Sequence, residues 1–400
     1  MVDALRTPYG RRGGALTGWH PVDLTAELLE ELVAANKVGP GQVDDVVLGC
    51  TSQVGAQAGN IARRAALAAG WPETVPGATV DRHAASSAQA VHWAAQAVMS
   101  GAQALVIAGG VEVMTAVPAG APLAQVAIGK PYGPRLLERY RAGGGLLPPG
   151  LVAEEVARQW SLSRGALDDW ALLSMERAAQ AQKARPPFLI PLQRRPVPPP
   201  PVLEKSPPGR GRRPPPASLI VADEAVGSLP SRAKVAALAP VYLEGGVVTA
   251  ANMAAEGDGA AAVLIASVTT ARALGLVPKA RFLSFATAGA DPSLWPMAAV
   301  PATMTALARS GLSAPDIDRW SVHESSAAAV LAWAAETGAE LGRVNADGGA
   351  LATTSPVGAV GAGLFASAVA ALAGTTNGLA VVCTAGEGGV GTTAVLARWE

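Results

Sequence analysis

The strongest constraint on the fold is a short pattern that occurs once near residue 100 and again near the C-terminal end. Residues 104–110 and 379–386 are apolar runs closed by glycine, as expected of strands buried on both faces. An alanine-rich helix candidate precedes each run, at residues 88–99 and 358–373. Each helix candidate in turn follows a turn of small residues. The repetition predicts an α/β protein with two similar halves, each built on a mostly parallel central sheet.

Helices are also predicted outside the repeated pattern. Residues 25–35 form an amphipathic segment with Leu28, Leu29 and Leu32 on one face, and Asp23 is its expected N-cap. Between the two halves, residues 150–181 carry apolar side chains at helical spacing. That region therefore reads as helices inserted between the halves.

A proline- and arginine-rich arm follows the inserted helices. Residues 186–216 hold 13 of the 32 prolines, together with five arginines. Proline at this density excludes helix and removes backbone donors, which predicts an extended or disordered surface arm. The residues allow two interpretations of this arm, a phosphate- or partner-binding segment or an ordinary solvated loop insertion.

Composition narrows the class of protein. The 400 residues are 50% hydrophobic, enough for two core-sized domains or one large fused unit. A formal net charge of +0 gives no indication of nucleic acid or an anionic membrane as partner. Two cysteines form no disulfide framework, and no secretory leader or membrane-spanning run is evident. We therefore expect a cytoplasmic protein with no metal site and no permanently bound cofactor.

Six segments, in chain order, resemble motifs of the thiolase family. They are residues 2–10 (VDALRTPYG), 80–90 (VDRHAASSAQA), 109–114 (GGVEVM), 248–262 (with VTAAN and DGAAA), 323–324 (HE) and 383–391 (opening CTAG). The resemblance implies the thiolase fold, with two βαβαβ-type halves in five α-β-α-β-α layers and an inserted loop domain. The implied segments are 1–118 with 246–267 for the N-terminal half, 119–245 for the loop domain with its arm at 186–216, and 268–400 for the C-terminal half.

The same resemblance implies that the usual reaction centre is changed. In thiolases a cysteine takes the acyl group, the histidine of a G-H-P turn activates it, and a second cysteine moves the α-proton. The matching positions here are Ala84, Ser355 and Cys383. A methyl group cannot attack a thioester, and serine is no base near neutral pH. Ala84 is either natural or an engineered cysteine-to-alanine change.

Two serines follow Ala84 on the predicted helix. Ser86 and Ser87 are rotated by about 200 and 300 degrees from Ala84 on an α-helix, so neither replaces the missing nucleophile there. We expect them to cap the helix N-terminus.

Other cleft residues follow from the resemblance alone. It places Gly386, Asn252 and Glu324 near the reacting carbonyl. Along the substrate it places Tyr242, Ala254 and Ser326. Glycines after Cys383 would let backbone amides approach a substrate oxygen.

Cys383 and His323 are the predicted catalytic pair if the protein is an enzyme. Both match thiolase positions that face the reacting thioester, and an adjacent imidazolium would favour a thiolate. The alternative is that both are relics in a cleft without turnover, where a buried cysteine acts as a small hydrophobe.

Three functions remain open from the sequence. The chain is an acyltransferase-family enzyme acting on acyl thioesters without the usual Cys/His chemistry, an inactive thiolase-fold scaffold or partner subunit, or a Cys-to-Ala variant of an acyl-CoA acyltransferase. The expected ligand is a thioester of coenzyme A or of a carrier protein. The resemblance further implies a homodimer or homotetramer, with a heteromeric partner under the scaffold hypothesis. The uncharged strand candidate at residues 101–108 is the expected dimer edge.

Overall fold

The protein is described from a computed structural model that covers residues 1–124, 129–141, 145–196, 218–375 and 378–400. The strands are β1 (Asp3–Arg6), β2 (Gly10–Arg11), β3 (Asp45–Gly49), β4 (Gly77–Val80), β5 (Leu105–Val113), β6 (Leu192–Gln193), β7 (Leu219–Ile220), β8 (Gly257–Ala266), β9 (Ala280–Gly289), β10 (Arg319–Val322), β11 (Leu379–Gly386) and β12 (Val390–Arg398). The α-helices are α1 (Pro21–Ala35), α2 (Ile61–Ala68), α3 (Ser86–Met99), α4 (Pro134–Tyr140), α5 (Pro149–Gln159), α6 (Arg164–Lys183), α7 (Arg232–Ala236), α8 (Val268–Ala273), α9 (Ala299–Ser310), α10 (Ala327–Thr337), α11 (Ala350–Thr353) and α12 (Val360–Leu372).

Two mixed sheets form the framework. The N-terminal sheet has the order β1-β8-β5-β3-β4, and the C-terminal sheet has the order β10-β11-β12-β9. Strands β3, β4 and β5 run parallel, whereas β8 is antiparallel to both β1 and β5. In the second sheet only β10 and β11 are parallel. The prediction of mostly parallel sheets is therefore wrong, because each half closes with a strand that returns antiparallel.

Helices fill the layers around and between the sheets. Helices α3 and α12 lie between the two sheets, where α12 packs against β1 and β8 on one side and β11 on the other. Helices α1 and α2 cover the N-terminal sheet, and α9 packs on β9 and β12. This arrangement of two sheets with helices around and between them is the layered α/β architecture that the motifs predict. The bounds of the inserted loop domain at 119–245 stay a prediction.

Local structure differs from expectation at the first helix. Helix α1 starts at Pro21, and its N-cap is His20, whose ring accepts a hydrogen bond from the Val22 amide at 3.3 Å. Asp23 lies in the first turn instead of capping it, because proline is well suited to the first helical position. Helices α5 and α6 agree with the helical region predicted at 150–181.

The proline- and arginine-rich arm lies largely outside the described residues, which omit 197–217. Its beginning packs against α1. The Arg195 guanidinium lies 3.6 Å from the centroid of the Trp19 ring and 3.2 Å from a carboxylate oxygen of Asp23. Among the described residues, no helix is both long and apolar enough to cross a membrane.

The strand expected at a dimer edge is central. Strand β5 pairs with β8 on one side and β3 on the other, so the prediction that residues 101–108 form an edge is wrong. The sheet ends instead at β4, where Ala78 is exposed. The order of the strands determines which strand lies at the edge of the sheet, and the composition of one strand contains no information about its neighbours.

A buried ion pair ties β1 to the segment after the arm. Both Arg6 guanidinium nitrogens bond the Asp223 carboxylate, at 2.6 and 2.7 Å, and both side chains are 7% exposed. The Tyr9 amide donates to the same carboxylate at 2.7 Å. The bidentate geometry satisfies the charges that folding removes from water.

We expect Asp223→Asn to lower the free energy of unfolding by about 3–5 kcal/mol, because it leaves the Arg6 charge buried without a counterion. The matched control is Glu138→Gln, which breaks the exposed pair with Arg141 and is expected to cost below about 1 kcal/mol. Chemical denaturation of both variants gives the comparison. Equal losses would contradict the ion-pair argument.

Candidate active site

A tight turn between β4 and α3 presents Ala84. His83 has a left-handed backbone with φ 49°, and its amide donates to the Asp81 carboxylate at 2.9 Å. The Ser86 hydroxyl accepts from the Arg82 amide at 2.8 Å and donates to the His83 carbonyl at 2.6 Å. These bonds close the turn and hold the Ala84 methyl in a buried position.

The two serines after Ala84 do not cap α3. The N-cap is Ala85, which makes no side-chain cap bond, so the capping prediction is wrong. Ser87 accepts a hydrogen bond from the Ala362 amide of α12 at 3.0 Å. The hydroxyls therefore fix the turn and link the two central helices.

Gly386, at the end of β11, lies directly against the Ala84 turn. A Cβ at this position would be 2.7 Å from the Arg82 carbonyl oxygen and 3.1 Å from the Ala84 amide nitrogen. Only glycine allows this approach without displacing backbone. The structure thus brings the C-terminal glycine loop beside Ala84.

His323 and Ser355 form a hydrogen-bonded pair. Their Nε2 and Oγ atoms are 3.0 Å apart, and the residues are 8% and 6% exposed. His323 follows β10, where its amide donates to the Cys383 carbonyl at 2.9 Å. Burial lowers the pKa of His323 to about 4, and a ring hydrogen bond to the Ala385 backbone opposes that shift. The ring is therefore neutral at pH 7, and in the tautomer with its proton on Nδ1 the Nε2 atom accepts the hydrogen bond from Ser355.

The turn that carries Ser355 is strained. Thr354 has φ 84° and ψ 168°, a region that is essentially restricted to glycine. The Ser355 amide donates to the Ala255 carbonyl at 2.8 Å, which anchors the turn to the segment before β8. That anchor holds the threonine in its unfavourable conformation.

Cys383 is fully buried and lines a small cavity of about 10 Å³ together with His323. Its thiol is 0% exposed and pairs with the hydroxyls of Thr393 at 3.2 Å and Thr303 at 3.4 Å. Burial raises the pKa of Cys383, which disfavours the thiolate. Among the described residues no hydrogen bond joins the Cys383 thiol to the His323 imidazole, because the thiol bonds the two threonines and the imidazole bonds Ser355. Their predicted catalytic pairing stays a prediction. The motif predicts Ser355 only as the replacement of the base, whereas in the structure its hydroxyl is the hydrogen-bond partner of His323.

Glu324 and Asn252 use their polar atoms to hold the protein together. The Glu324 carboxylate accepts from Ser174 at 2.7 Å, Asn345 at 2.9 Å and the Leu351 amide at 3.2 Å. Burial raises the pKa of Glu324, and these donors oppose the shift. The Asn252 amide group donates to Asp168 at 3.0 Å. Both side chains therefore hold neighbouring loops together, and their predicted oxyanion contact stays a prediction.

The three residues predicted to lie along the substrate have different roles in the structure. The Ser326 hydroxyl accepts from the Ala329 amide at 3.1 Å and caps α10. Ala254 donates its amide to the Ser325 carbonyl at 3.1 Å. Tyr242 packs its ring on Gly150 and remains 42% exposed. Of the three side chains, only that of Tyr242 offers an exposed surface to a ligand.

The strained turn gives a stability test. We expect Thr354→Gly to raise the free energy of unfolding by about 1 kcal/mol, because relief of backbone strain of about 1–3 kcal/mol outweighs the added chain entropy and one long hydrogen bond. Thr353→Gly is the matched control, since residue 353 is helical and glycine there costs about 1 kcal/mol. Thermal or denaturant unfolding of the two variants should give opposite signs; a loss in both would refute the strain argument.

Comparison with known proteins identifies the family. Residues 1–198 match the family described as thiolase, N-terminal domain, and residues 276–398 match thiolase, C-terminal domain. The chain is 37% identical over 396 residues to the steroid 3-ketoacyl-CoA thiolase FadA6 of Mycobacterium tuberculosis, covering 96% of this chain and 91% of that protein. It is 36% identical over 399 residues to the beta-ketoadipyl-CoA thiolase of Escherichia coli, covering 96% and 95%. The crystal structure of Bacillus anthracis acetyl-CoA acetyltransferase superposes with a TM-score of 0.84 at 30% identity, covering 100% of this chain and 98% of that one. The chain belongs to the thiolase family.

Proposed function

We propose that this protein binds acyl thioesters in the thiolase cleft and does not use the acyl-cysteine reaction. The observation that carries the proposal is the Ala84 methyl at the turn where the family motif has its nucleophile, next to Gly386. Ser355 occupies the matching position of the base, and the remaining thiol, Cys383, is buried and protonated. This cleft therefore has no cysteine that can act as the nucleophile toward an acyl group.

The names of the relatives and the glycine loop beside Ala84 support thioester binding. The compared relatives are named as thiolases of ketoacyl-CoA substrates. The glycine loop beside Ala84 keeps backbone close to the cleft, where amides can hold a thioester oxygen without any side chain. Coenzyme A or a carrier protein would supply the thiol part of the ligand.

A second candidate function is a thiolase-fold partner subunit without turnover. It is favoured by the complete use of Glu324, Asn252 and Ser326 in internal hydrogen bonds, which preserves the fold independently of catalysis. Thioester binding distinguishes the two candidates. We expect isothermal titration with acetoacetyl-CoA to detect saturable binding, and its absence at millimolar ligand would favour the scaffold.

We expect the chain to show no thiolytic cleavage of acetoacetyl-CoA above background, because both the nucleophile and its base are missing. Ala84→Cys alone should recover little, whereas Ala84→Cys with Ser355→His should exceed it by about 100-fold or more, the usual contribution of a general base. Thiolysis is measured by the formation of acetyl-CoA from acetoacetyl-CoA and coenzyme A, a product that thioester hydrolysis does not give.

The same series decides whether Ala84 replaced a native cysteine. Full activity of the single Ala84→Cys variant would indicate a simple Cys-to-Ala variant of an acyl-CoA acyltransferase. Robust thiolysis by the unaltered chain would overturn the proposal.

We propose further that the chain forms a homodimer through the β4 edge. This strand is uncharged, its outer side has no pairing strand among the described residues, and Ala78 on it is exposed. Pairing two copies would satisfy the free backbone groups of both edges.

Light scattering at micromolar concentration should give twice the chain mass of 40.1 kDa, or a higher even multiple. Ala78→Lys should shift the mass toward the monomer, because it places like charges on the paired edges. Val277→Lys, at a position 77% exposed and outside β4, is the control and should keep the wild-type mass. A monomeric wild-type protein would contradict the dimer.

A further inference from the structure

We propose that Ser355 is an acyl acceptor activated by His323, so that this thiolase-family cleft hydrolyses acyl thioesters through a serine ester. The inference rests on the proposed thioester binding and gives it a reaction. No cysteine takes part in it.

The geometry of the pair meets the requirement for an activated serine. Ser355 Oγ lies 3.0 Å from His323 Nε2, within reach for proton transfer. The Ala385 backbone lies beside the His323 ring and partly offsets the lowering of its pKa by burial. Because the imidazole is neutral at pH 7, its Nε2 lone pair is free to accept the Ser355 proton.

Both members of the pair are held by backbone. His323 continues β10, whose register with β11 pairs Val322 with Cys383. Ser355 is fixed by the hydrogen bond from its amide to the Ala255 carbonyl and by the strained Thr354 before it. A contact between two anchored turns is preorganised, so little conformational entropy is lost when the serine reacts.

A cavity on the α6 and α12 side of His323 has room for an acyl chain, and Ser355, Ala84 and Gly386 are not among the residues that line it. Its volume is about 310 Å³, at the low end for small-molecule sites, and its wall includes His323 together with Thr353 and Thr354, the two residues before Ser355. The cavity continues between α6 and α12 along an apolar wall that includes Ala181, Phe188 and Leu364.

One wall group suggests the type of acyl chain. The Tyr9 hydroxyl is buried, the residue is 5% exposed, and the atom has no hydrogen-bond partner among the described residues. A buried donor without a partner is costly, and an acceptor on the ligand would satisfy it. The expected substrate is therefore a thioester of a compact apolar acyl group that carries an oxygen, such as a keto group.

The proposed reaction balances with water as the only co-reactant. Ser355 Oγ bonds to the thioester carbonyl carbon while its proton moves to His323 Nε2. The carbon–sulfur bond breaks, and the departing thiolate takes that proton. Water then attacks the serine ester, giving one proton to His323, which returns it to Ser355 Oγ as the ester bond breaks. The products are a carboxylic acid and a free thiol.

The direct test uses a fluorophosphonate probe, in which an activated serine displaces fluoride and forms a stable bond to phosphorus. We expect one adduct on the full chain, mapped to Ser355 by peptide mass spectrometry. Ser355→Ala should abolish it, and His323→Gln should slow it by about 100-fold or more. Cys383→Ala should still be labelled, because its buried thiol takes no part in the proposed reaction. Mapping the unaltered protein makes the result independent of the folding of any variant, and an adduct on another residue or none would overturn the proposal.

Turnover is tested with acetoacetyl-CoA by measuring free coenzyme A in the absence of an acceptor thiol. Hydrolysis should rise as pH increases through about 4, where His323 loses its proton, and stay constant up to pH 8. An inflection near pH 6.5 would contradict a buried neutral base. Binding of acetoacetyl-CoA without hydrolysis would refute the serine reaction and leave the proposed function intact, whereas absent binding would refute the proposed function itself.

The proposal that the acyl chain lies in this cavity is tested by the preference for acyl chain length. Ala181→Phe fills the apolar part of the wall, so it should lower kcat/KM for longer 3-ketoacyl thioesters by about 10-fold or more relative to acetyl thioesters. An unchanged ratio would show that the acyl chain does not lie there.

Discussion

The close packing of α3 against α12 is the contact on which the rest of the site depends. A Cβ at Gly361 would lie 2.7 Å from the Ala88 amide nitrogen, so the two helices meet with almost no side chain between them. Ser87 adds a hydrogen bond to the Ala362 amide. Because α3 begins after Ala84 and α12 after the Ser355 turn, packing these helices together brings the two reaction-centre turns into one cleft. The two halves of the chain therefore build the site jointly.

Burial decides which chemistry this cleft supports. Removal from water lowers the pKa of His323 to about 4 and raises the pKa of Cys383, so both groups are held in their neutral forms. A neutral imidazole can accept a proton, whereas a neutral thiol is a poor nucleophile. The same desolvation thus disfavours a cysteine mechanism at Cys383 and favours an imidazole that activates a hydroxyl.

The polar groups around the cleft form internal hydrogen bonds that stabilise the fold. Glu324 joins α6, the end of β10 and the start of α11 through three donors. This carboxylate lies immediately after His323, so the network that stabilises the turns also sets the position of the imidazole. A serine reaction in this site would depend on that network for positioning and on the glycine loop for charge stabilisation.

The sequence by itself determined the family, the two-part α/β fold, most helices and the identity of Ala84, because apolar runs, helical spacing and ordered motifs are local properties. Strand direction, the central place of β5 and the roles of Ser86 and Ser87 were decided only by the tertiary structure, since they depend on which segments become neighbours. The pairing of His323 with Ser355 belongs to the same class. The two residues lie in separate turns, and only the anchoring of one turn on β11 and of the other on the segment before β8 places their side chains 3.0 Å apart. For Cys383, motif position suggested a reactive thiol, but the packing of the strand buries that thiol against the hydroxyls of Thr303 and Thr393.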